Sequence, residues 1–267
     1  MSVFRNSIMM DLSARQAEIT ALLIESEFLS VDGLSERYSV TAQTIRRDLN
    51  VLCEAGLARR RHGGVEKPLP SGNIAYGSRQ VLLRGEKQAI ARKVASQIPD
   101  NTSLAFSIGT TPESVAAALL HHDALKVFTN NLNIALLACA NPTFEVNVAG
   151  GKVRNSDGDV LGAGLETFLS SYLFDYGIYG VAGVEADGTL LDFSEREVRA
   201  RQLIHENSRS TFLVLDHSKF GRSAHVRGGQ ITQVTKIFTD REPSREIIDR
   251  IDDSDAELVI CDEESAQ

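Results

Sequence analysis

The stretch Thr41-Ala42-Gln43-Thr44-Ile45-Arg46-Arg47-Asp48-Leu49-Asn50-Val51-Leu52-Cys53-Glu54 reads as one helix with two unlike faces. Thr41 is a good N-cap, since its hydroxyl accepts from a backbone N–H that the first turn leaves unpaired. Gly56 supplies the C-terminal stop. At about 100° per residue, Leu49 and Leu52 fall on the side of Ile45 and pack inward. Gln43, Arg47 and Asn50 point the other way, flanked by Thr44 and Arg46. Guanidinium and amide tips are the groups that read base edges in a major groove, Arg on guanine and Gln or Asn on adenine. A solvated Arg-rich surface helix is the plain alternative. The next segment, Leu57 to Val65, decides between the two. It reads as a tight β-hairpin turning at Gly63-Gly64, and Arg59, Arg60, Arg61 and His62 on that ribbon can lie along a phosphate backbone. The candidate DNA contacts are therefore Gln43, Thr44, Arg46, Arg47, Asn50, Arg60, Arg61 and His62.

Upstream, Ile19, Leu22, Leu23 and Ile24 have helical spacing, and a short helix bearing Leu34 ends near Tyr38. Three short helices followed by a basic hairpin make a winged helix-turn-helix, expected over residues 1–66. The formal net charge of −8 argues against non-specific binding to nucleic acid, because an acidic chain is repelled by phosphate. The charge is uneven, however. Between Thr41 and Lys67 six cations face Asp48, Glu54 and Glu66, and the acidity lies mainly beyond residue 80. Such asymmetry predicts a DNA-facing end and a body with other work. No apolar run approaches the roughly 18–20 residues of a membrane span, and the N-terminal stretch lacks the pattern of a secretory leader. A cytoplasmic protein is expected. Cys53, Cys139 and Cys261 are too scattered for a disulfide framework or a zinc site, and no metal or cofactor is expected.

Residues 67–85, with Pro68, Pro70, Gly72, Gly77 and Gly85, read as a linker, or in part as a helix that docks the domains. From residue 86 to 267 short apolar strands alternate with helices. Strands are expected at 104–106, 125–128, 144–149, 176–183, 211–215, 236–239 and 256–260. Helices are expected at 87–98, 112–120, 132–140, 195–207 and 244–251. This alternation predicts an α/β domain with a mostly parallel sheet, and a two-domain α+β chain overall.

In that domain Leu104-Ala105-Phe106-Ser107-Ile108-Gly109-Thr110-Thr111-Pro112-Glu113-Ser114 runs from a strand through a Gly turn into a helix. Pro112 suits the first helical position and makes Thr111 the expected N-cap. Backbone N–H groups at such a turn bind anions, so Gly109, Thr110 and Thr111 are candidates for a phosphate. Glu113 opposes one by its charge. Other strand ends carry matching chemistry: Asn131 in the polar turn Thr129–Asn133, Gly151 after Ala149-Gly150, and Lys219 as the cation of Asp216–Arg222. Asp187 and Glu197 are candidate acceptors for polyol hydroxyls. Ligands of open α/β sheets gather at the carboxyl ends of strands.

These segments resemble the DeoR family of bacterial sugar-catabolism repressors. The likeness runs through Ser39–Leu49, Arg61-His62-Gly63-Gly64, Ile108–Glu113, Thr129–Asn133, Ala149-Gly150-Gly151, Asp157-Gly158, Glu197-Val198-Arg199, Glu206–Arg209 and Asp216–Arg222, covering roughly residues 13–260. It implies that the second domain has a sugar-phosphate isomerase-like fold, that it senses a phosphorylated small molecule, with glycerol 3-phosphate the leading candidate, and that binding releases double-stranded operator DNA. It also implies a homo-oligomer, dimer or tetramer. Catalysis is not expected, because nothing in the sequence marks a tuned carboxylate pair, a nucleophile–base pair or a metal cluster. One position departs from the family pattern, Ser107 standing where Asp is usual two residues before the Gly. Two rivals remain at this stage. One is a sugar-phosphate isomerase with a DNA-binding appendage, Asp187 and Glu197 supplying acid–base chemistry. The other is a repressor whose second domain is a ligand-free oligomerisation module.

Overall fold

The computed structural model describes residues 12–67 and 76–261. The opening stretch read as leaderless, Pro68, Pro70 and Gly72 of the expected linker, and the Ile24 side chain lie outside the described residues. The chain divides into two compact units, residues 1–84 and 85–267.

The first unit runs α1 (Ala14–Glu25), β1 (Phe28–Ser30), α2 (Val31–Arg37), α3 (Ala42–Glu54), β2 (Arg59–Arg61), β3 (Gly64–Glu66) and α4 (Tyr76–Val81). Helix α1 starts in a capping box, Ser13 and Gln16 each accepting from the other's backbone N–H. Ile19, Leu23, Leu34, Ile45, Leu49, Leu52 and Val65 form a closed core beneath α3. The three strands make one antiparallel sheet with β3 in the middle. Gly64 has to be glycine, since a Cβ there would meet the Leu29 carbonyl oxygen at 2.1 Å. Part of the expected linker is helical: α4 buries Tyr76 and Ser78, and Leu82 packs against the core of this unit. Of the Pro and Gly residues that suggested a loop, Pro68, Pro70 and Gly72 precede this helix in sequence, Gly77 is tolerated inside it and Gly85 lies in the next helix, Arg84–Ala95.

The second unit runs α5 (Arg84–Ala95), β4 (Ser103–Phe106), α6 (Thr110–Ala118), β5 (Lys126–Thr129), α7 (Leu132–Ala138), β6 (Glu145–Val148), β7 (Val153–Arg154), β8 (Asp159–Val160), α8 (Ala163–Ser170), β9 (Phe174–Tyr179), β10 (Gly183–Val184), β11 (Thr189–Asp192), α9 (Glu195–Glu206), β12 (Ser208–Val214), β13 (Val226–Gln230), β14 (Lys236–Thr239), α10 (Arg245–Asp252) and β15 (Glu257–Ile260). Seven strands form one parallel sheet in the order β15-β14-β12-β9-β4-β5-β6. The strands are short apolar runs because both faces are covered. Leu104, Phe106, Val127, Phe212 and Phe238 face α5, α6 and α7. Ala105, Phe128, Leu213 and Ile237 face α8, α9 and α10. Burying each large apolar side chain contributes about 1.5–3 kcal/mol.

The strand expected at 176–183 ends at Tyr179, and a separate antiparallel sheet, β10-β11-β13, follows. Gly180 marks the break: a Cβ there would press on the Val214 carbonyl and on Pro112. The sheet fills outward from β4 through β5 and β6, then from β9 through β12, β14 and β15. The order therefore reverses between β4 and β9, and the crevice beyond their carboxyl ends is where doubly wound sheets hold ligands.

Candidate functional site

The basic face of the first unit is built by α3 and the β2–β3 hairpin. Thr41 caps α3, its hydroxyl accepting from Thr44 N–H at 3.2 Å. Gln43, Arg46, Arg47 and Asn50 are exposed and Thr44 is half-buried. Arg46 and Arg47 make no ion pair or hydrogen bond among the described residues, so both guanidinium groups are unengaged. The hairpin side chains are partly engaged. Arg59 and Arg61 pair with Glu66, and Arg61 also stacks 5.5 Å over the Phe28 ring. Arg60 donates to the Asn50 side-chain oxygen. That contact joins the hairpin to the exposed face of α3. His62 is exposed at the hairpin tip.

Asp48 was read only as a charge on this helix, yet it is 6% exposed and accepts from Arg15 Nε at 2.7 Å and Gln16 Nε2 at 2.9 Å. It clamps α3 to the start of α1 and so fixes the angle at which Arg47 leaves the protein. Replacing Asp48 with Ala leaves two donors without their acceptor and is expected to destabilise this unit by about 1–3 kcal/mol. Urea unfolding of the two proteins side by side checks this, and an unchanged midpoint contradicts the clamp.

At the switch point, Gly109 rather than Thr111 is the N-cap of α6. Its φ of +133° suits glycine alone and lets the chain turn into the helix two residues early. Pro112 then occupies the third helical position, where its missing N–H still removes no intrahelical bond. Thr110 and Thr111 are buried in the first turn beside Glu113. The Glu113 carboxylate accepts from the Asn131 side-chain NH₂ at 3.0 Å and the Asn133 NH₂ at 3.5 Å. A carboxylate in a helical first turn is favoured by the helix dipole, and here it ties that turn to the loop after β5.

Asn131 is fully buried. Its oxygen caps α7 by accepting from Asn133 N–H and Ile134 N–H, and its NH₂ is held by Glu113. It scaffolds the turn, which corrects its reading as an open polar contact for a ligand. Gly151 lies in an exposed turn at the end of β6, with φ of +149° and Val160 packed 2.8 Å from where a Cβ would be. Asp187 is elsewhere. It is exposed in the β10–β11 turn, accepts from Thr189 N–H at 2.9 Å, and lies near Arg227 and Arg250. The adjoining Gly188 packs beside Ile231, on the turn that feeds β14. That places Asp187 by the strand starts, away from the carboxyl ends. Glu197 is held by Arg154 at 2.6 Å, and the same guanidinium takes both oxygens of Asp159 at 2.9 and 3.1 Å. The structure therefore does not bring Asp187 and Glu197 together as an acid–base pair.

Lys219 closes a short 3-10 turn, His217–Lys219, capped by Asp216. Burial alone pushes the Asp216 carboxyl up, but Lys219 and Lys87, with the Ser218 hydrogen bond and His217, outweigh it and hold the group below the usual carboxylate range. Lys87, on α5, is 3% exposed. The sequence carried a signal for it: Lys87 falls on the same helical stripe as Ile90, Ala91 and Val94, where a charge needs a buried partner. His217 gives both its backbone N–H (2.7 Å) and its ring Nδ1 (2.6 Å) to Asp240 at the end of β14. The hydrogen bond to Asp240 raises the His217 pKa.

A histidine whose folded pKa is raised stabilises fully below its unfolded value of about 6.5, and that contribution drains as pH climbs through the folded pKa. The difference in thermal midpoint between this chain and Asp240→Asn is accordingly expected to be largest in mildly acidic buffer and to shrink toward pH 9. A difference that does not change with pH contradicts the pairing.

Two family models match the chain, a DeoR-like helix-turn-helix domain over residues 15–68 and a DeoR C-terminal sensor domain over residues 84–241. A glycerol-3-phosphate regulon repressor of Escherichia coli is 43% identical over 92% of this chain and 98% of its own length. The transcriptional repressor CsqR of the same species is 36% identical over 94% and 96%. A ribose 5-phosphate isomerase A from Methanocaldococcus jannaschii is 13% identical with a TM-score of 0.39, over 52% of this chain and 56% of that one.

Proposed function

This chain belongs to the DeoR family, and from that premise we propose that it is a transcriptional repressor of a carbon-catabolism operon, released from operator DNA by a phosphorylated small metabolite, glycerol 3-phosphate. The observation that carries the sensing half is the reversal of strand order between β4 and β9. Loops from the adjacent strands β4, β9 and β12 meet there, bringing the glycine-capped start of α6 and the Lys219 turn to one edge of the sheet. The phosphate takes the N–H groups of Gly109, Thr110 and Thr111 and the charge of Lys219, and Gly151 borders the polyol. Glu197 reaches a hydroxyl only by leaving Arg154. Gln43, Thr44, Arg46, Arg47 and Asn50 enter the major groove, while Arg60, Arg61 and His62 follow the backbone. A homo-oligomer, dimer or tetramer, places two such helices on a symmetric site.

Calorimetry tests the sensing half directly. Glycerol 3-phosphate is expected to bind the purified chain and glycerol is not. Equal binding of both, or of neither, overturns the reading. The same samples, incubated with sugar phosphates, are expected to return them unchanged, and turnover would favour an isomerase.

A further inference from the structure

The C-terminal carbonyls of a helix lack intrahelical donors and need outside partners. At the end of α3 the Ala55 carbonyl finds one in a side chain from 23 residues downstream, the Ser78 hydroxyl at 2.5 Å. Ser78 is 2% exposed, so water does not compete for the bond. Its helix, α4, is fixed on either side of this contact, since Tyr76 is buried and Leu82 packs on the core that carries Ile45 and Leu49. The connecting helix is thus fastened to the end of the DNA-reading helix.

Beyond Leu82 the chain turns sharply. Leu83 has φ of +52°, a region that costs a branched side chain energy and persists only where the surroundings impose it. The next residue opens α5, and one helical turn on is the buried Lys87, whose charge acts on Asp216 at the cap of the Lys219 turn. From Ser78 to Lys87 the covalent path is nine residues, most of them in α4 and α5.

We propose that Ser78 is a positioning residue for DNA recognition, the point at which movement of the α4–α5 connector reaches α3. The relay rests on the reading of the second unit as a phosphoester sensor and adds its route of transmission. A ligand that draws Lys219 toward its phosphate changes what Lys87 and Asp216 hold, α5 shifts, and Leu83 passes the shift into α4. Because Ser78 grips the last turn of α3, the recognition helix changes its angle rather than staying behind. The bond itself contributes nothing to operator contact.

The test uses full-length protein on operator DNA, with glycerol 3-phosphate as the probe. Coupled sites of this kind change affinity by roughly 5- to 150-fold, so saturating ligand is expected to weaken the unsubstituted complex within that range. Ser78→Ala is expected to keep the ligand's calorimetric affinity and to hold DNA within about threefold in its absence, while release falls to under about threefold. Leu83→Gly accepts the same backbone angle without strain. It leaves the Ser78 bond in place and is expected to blunt release in the same way, so it decides the matter if Ser78→Ala does not fold. Variants that are released as strongly as the unsubstituted protein overturn the relay and leave the sensor standing. Weaker DNA binding with an unchanged release ratio reduces Ser78 to a structural bond and also overturns it. An unsubstituted chain that binds the phosphoester but is never released removes the relay together with the repressor reading.

Discussion

Arg47→Ala is expected to weaken operator binding by about 1–3 kcal/mol and to relax sequence preference at a single base position. Three features make Arg47 the residue to lose. It projects from the exposed face of α3, away from the Ile45, Leu49 and Leu52 core. Its guanidinium has no acidic partner among the described residues, so no internal pair is broken when it turns to a guanine edge. The Asp48 clamp holds the helix beneath it rigid. A bidentate contact from a fixed helix discriminates between bases, whereas a cation on phosphate does not. Arg46→Ala makes the contrast. If Arg46 serves phosphate, its loss weakens all sequences alike and lowers the salt slope by about one. Competition binding against operators altered one base at a time separates the two. An Arg47→Ala protein with unchanged affinity and unchanged base preference removes Arg47 from the reading set.

The second large effect belongs to Lys219→Ala, which is expected to leave operator binding intact and to blunt release. A hydrogen bond to a charged group contributes about 1.5–3 kcal/mol, so the loss corresponds to about 10- to 150-fold in affinity for the phosphoester. The substitution also leaves Asp216 with less positive charge beside it, since only Lys87 and His217 then act on that buried carboxylate alongside the Ser218 hydrogen bond. Both changes act against an incoming dianion. Unphosphorylated glycerol provides the control, because neither protein is expected to respond to it. Normal release of the Lys219→Ala protein by glycerol 3-phosphate excludes Lys219 from the phosphate site.

How far the sequence carried these assignments depended on the length of each signal. Helix α3 was legible because thirteen residues display a full amphipathic period behind a threonine cap. The seven-stranded sheet was legible because its strands are apolar runs between glycines and helices. The β7–β8 hairpin and β10 were not, since strands of two residues have no period to read, and of their partners β11 is buried at every position while β13 carries Gly228 and Gly229. At the candidate site, chain order located the loops and side-chain geometry reassigned their members. Asn131 looked like an open polar group but is closed between α7 and Glu113. Glu197 looked free until Arg154, 43 residues earlier, was found beside it. Asp187 follows the expected strand 176–183 in sequence, yet that strand ends at Tyr179 and Asp187 sits in the β10–β11 turn of the smaller sheet. Pairings of this kind arise from residues distant in the chain, which periodicity does not register.

Ligand bound at the carboxyl ends of β4 and β9 is expected to loosen the hold of α3 on DNA. A ligand can do so only if it binds the released arrangement better than the DNA-bound one. Fluorescence anisotropy of a labelled operator fragment, saturated with the full-length chain and titrated with glycerol 3-phosphate and then with glycerol, measures that difference. Anisotropy is expected to fall to the free-DNA value with the phosphoester and to stay flat with glycerol. A complex equally tight in both titrations, with the phosphoester shown by calorimetry to be bound, would contradict it.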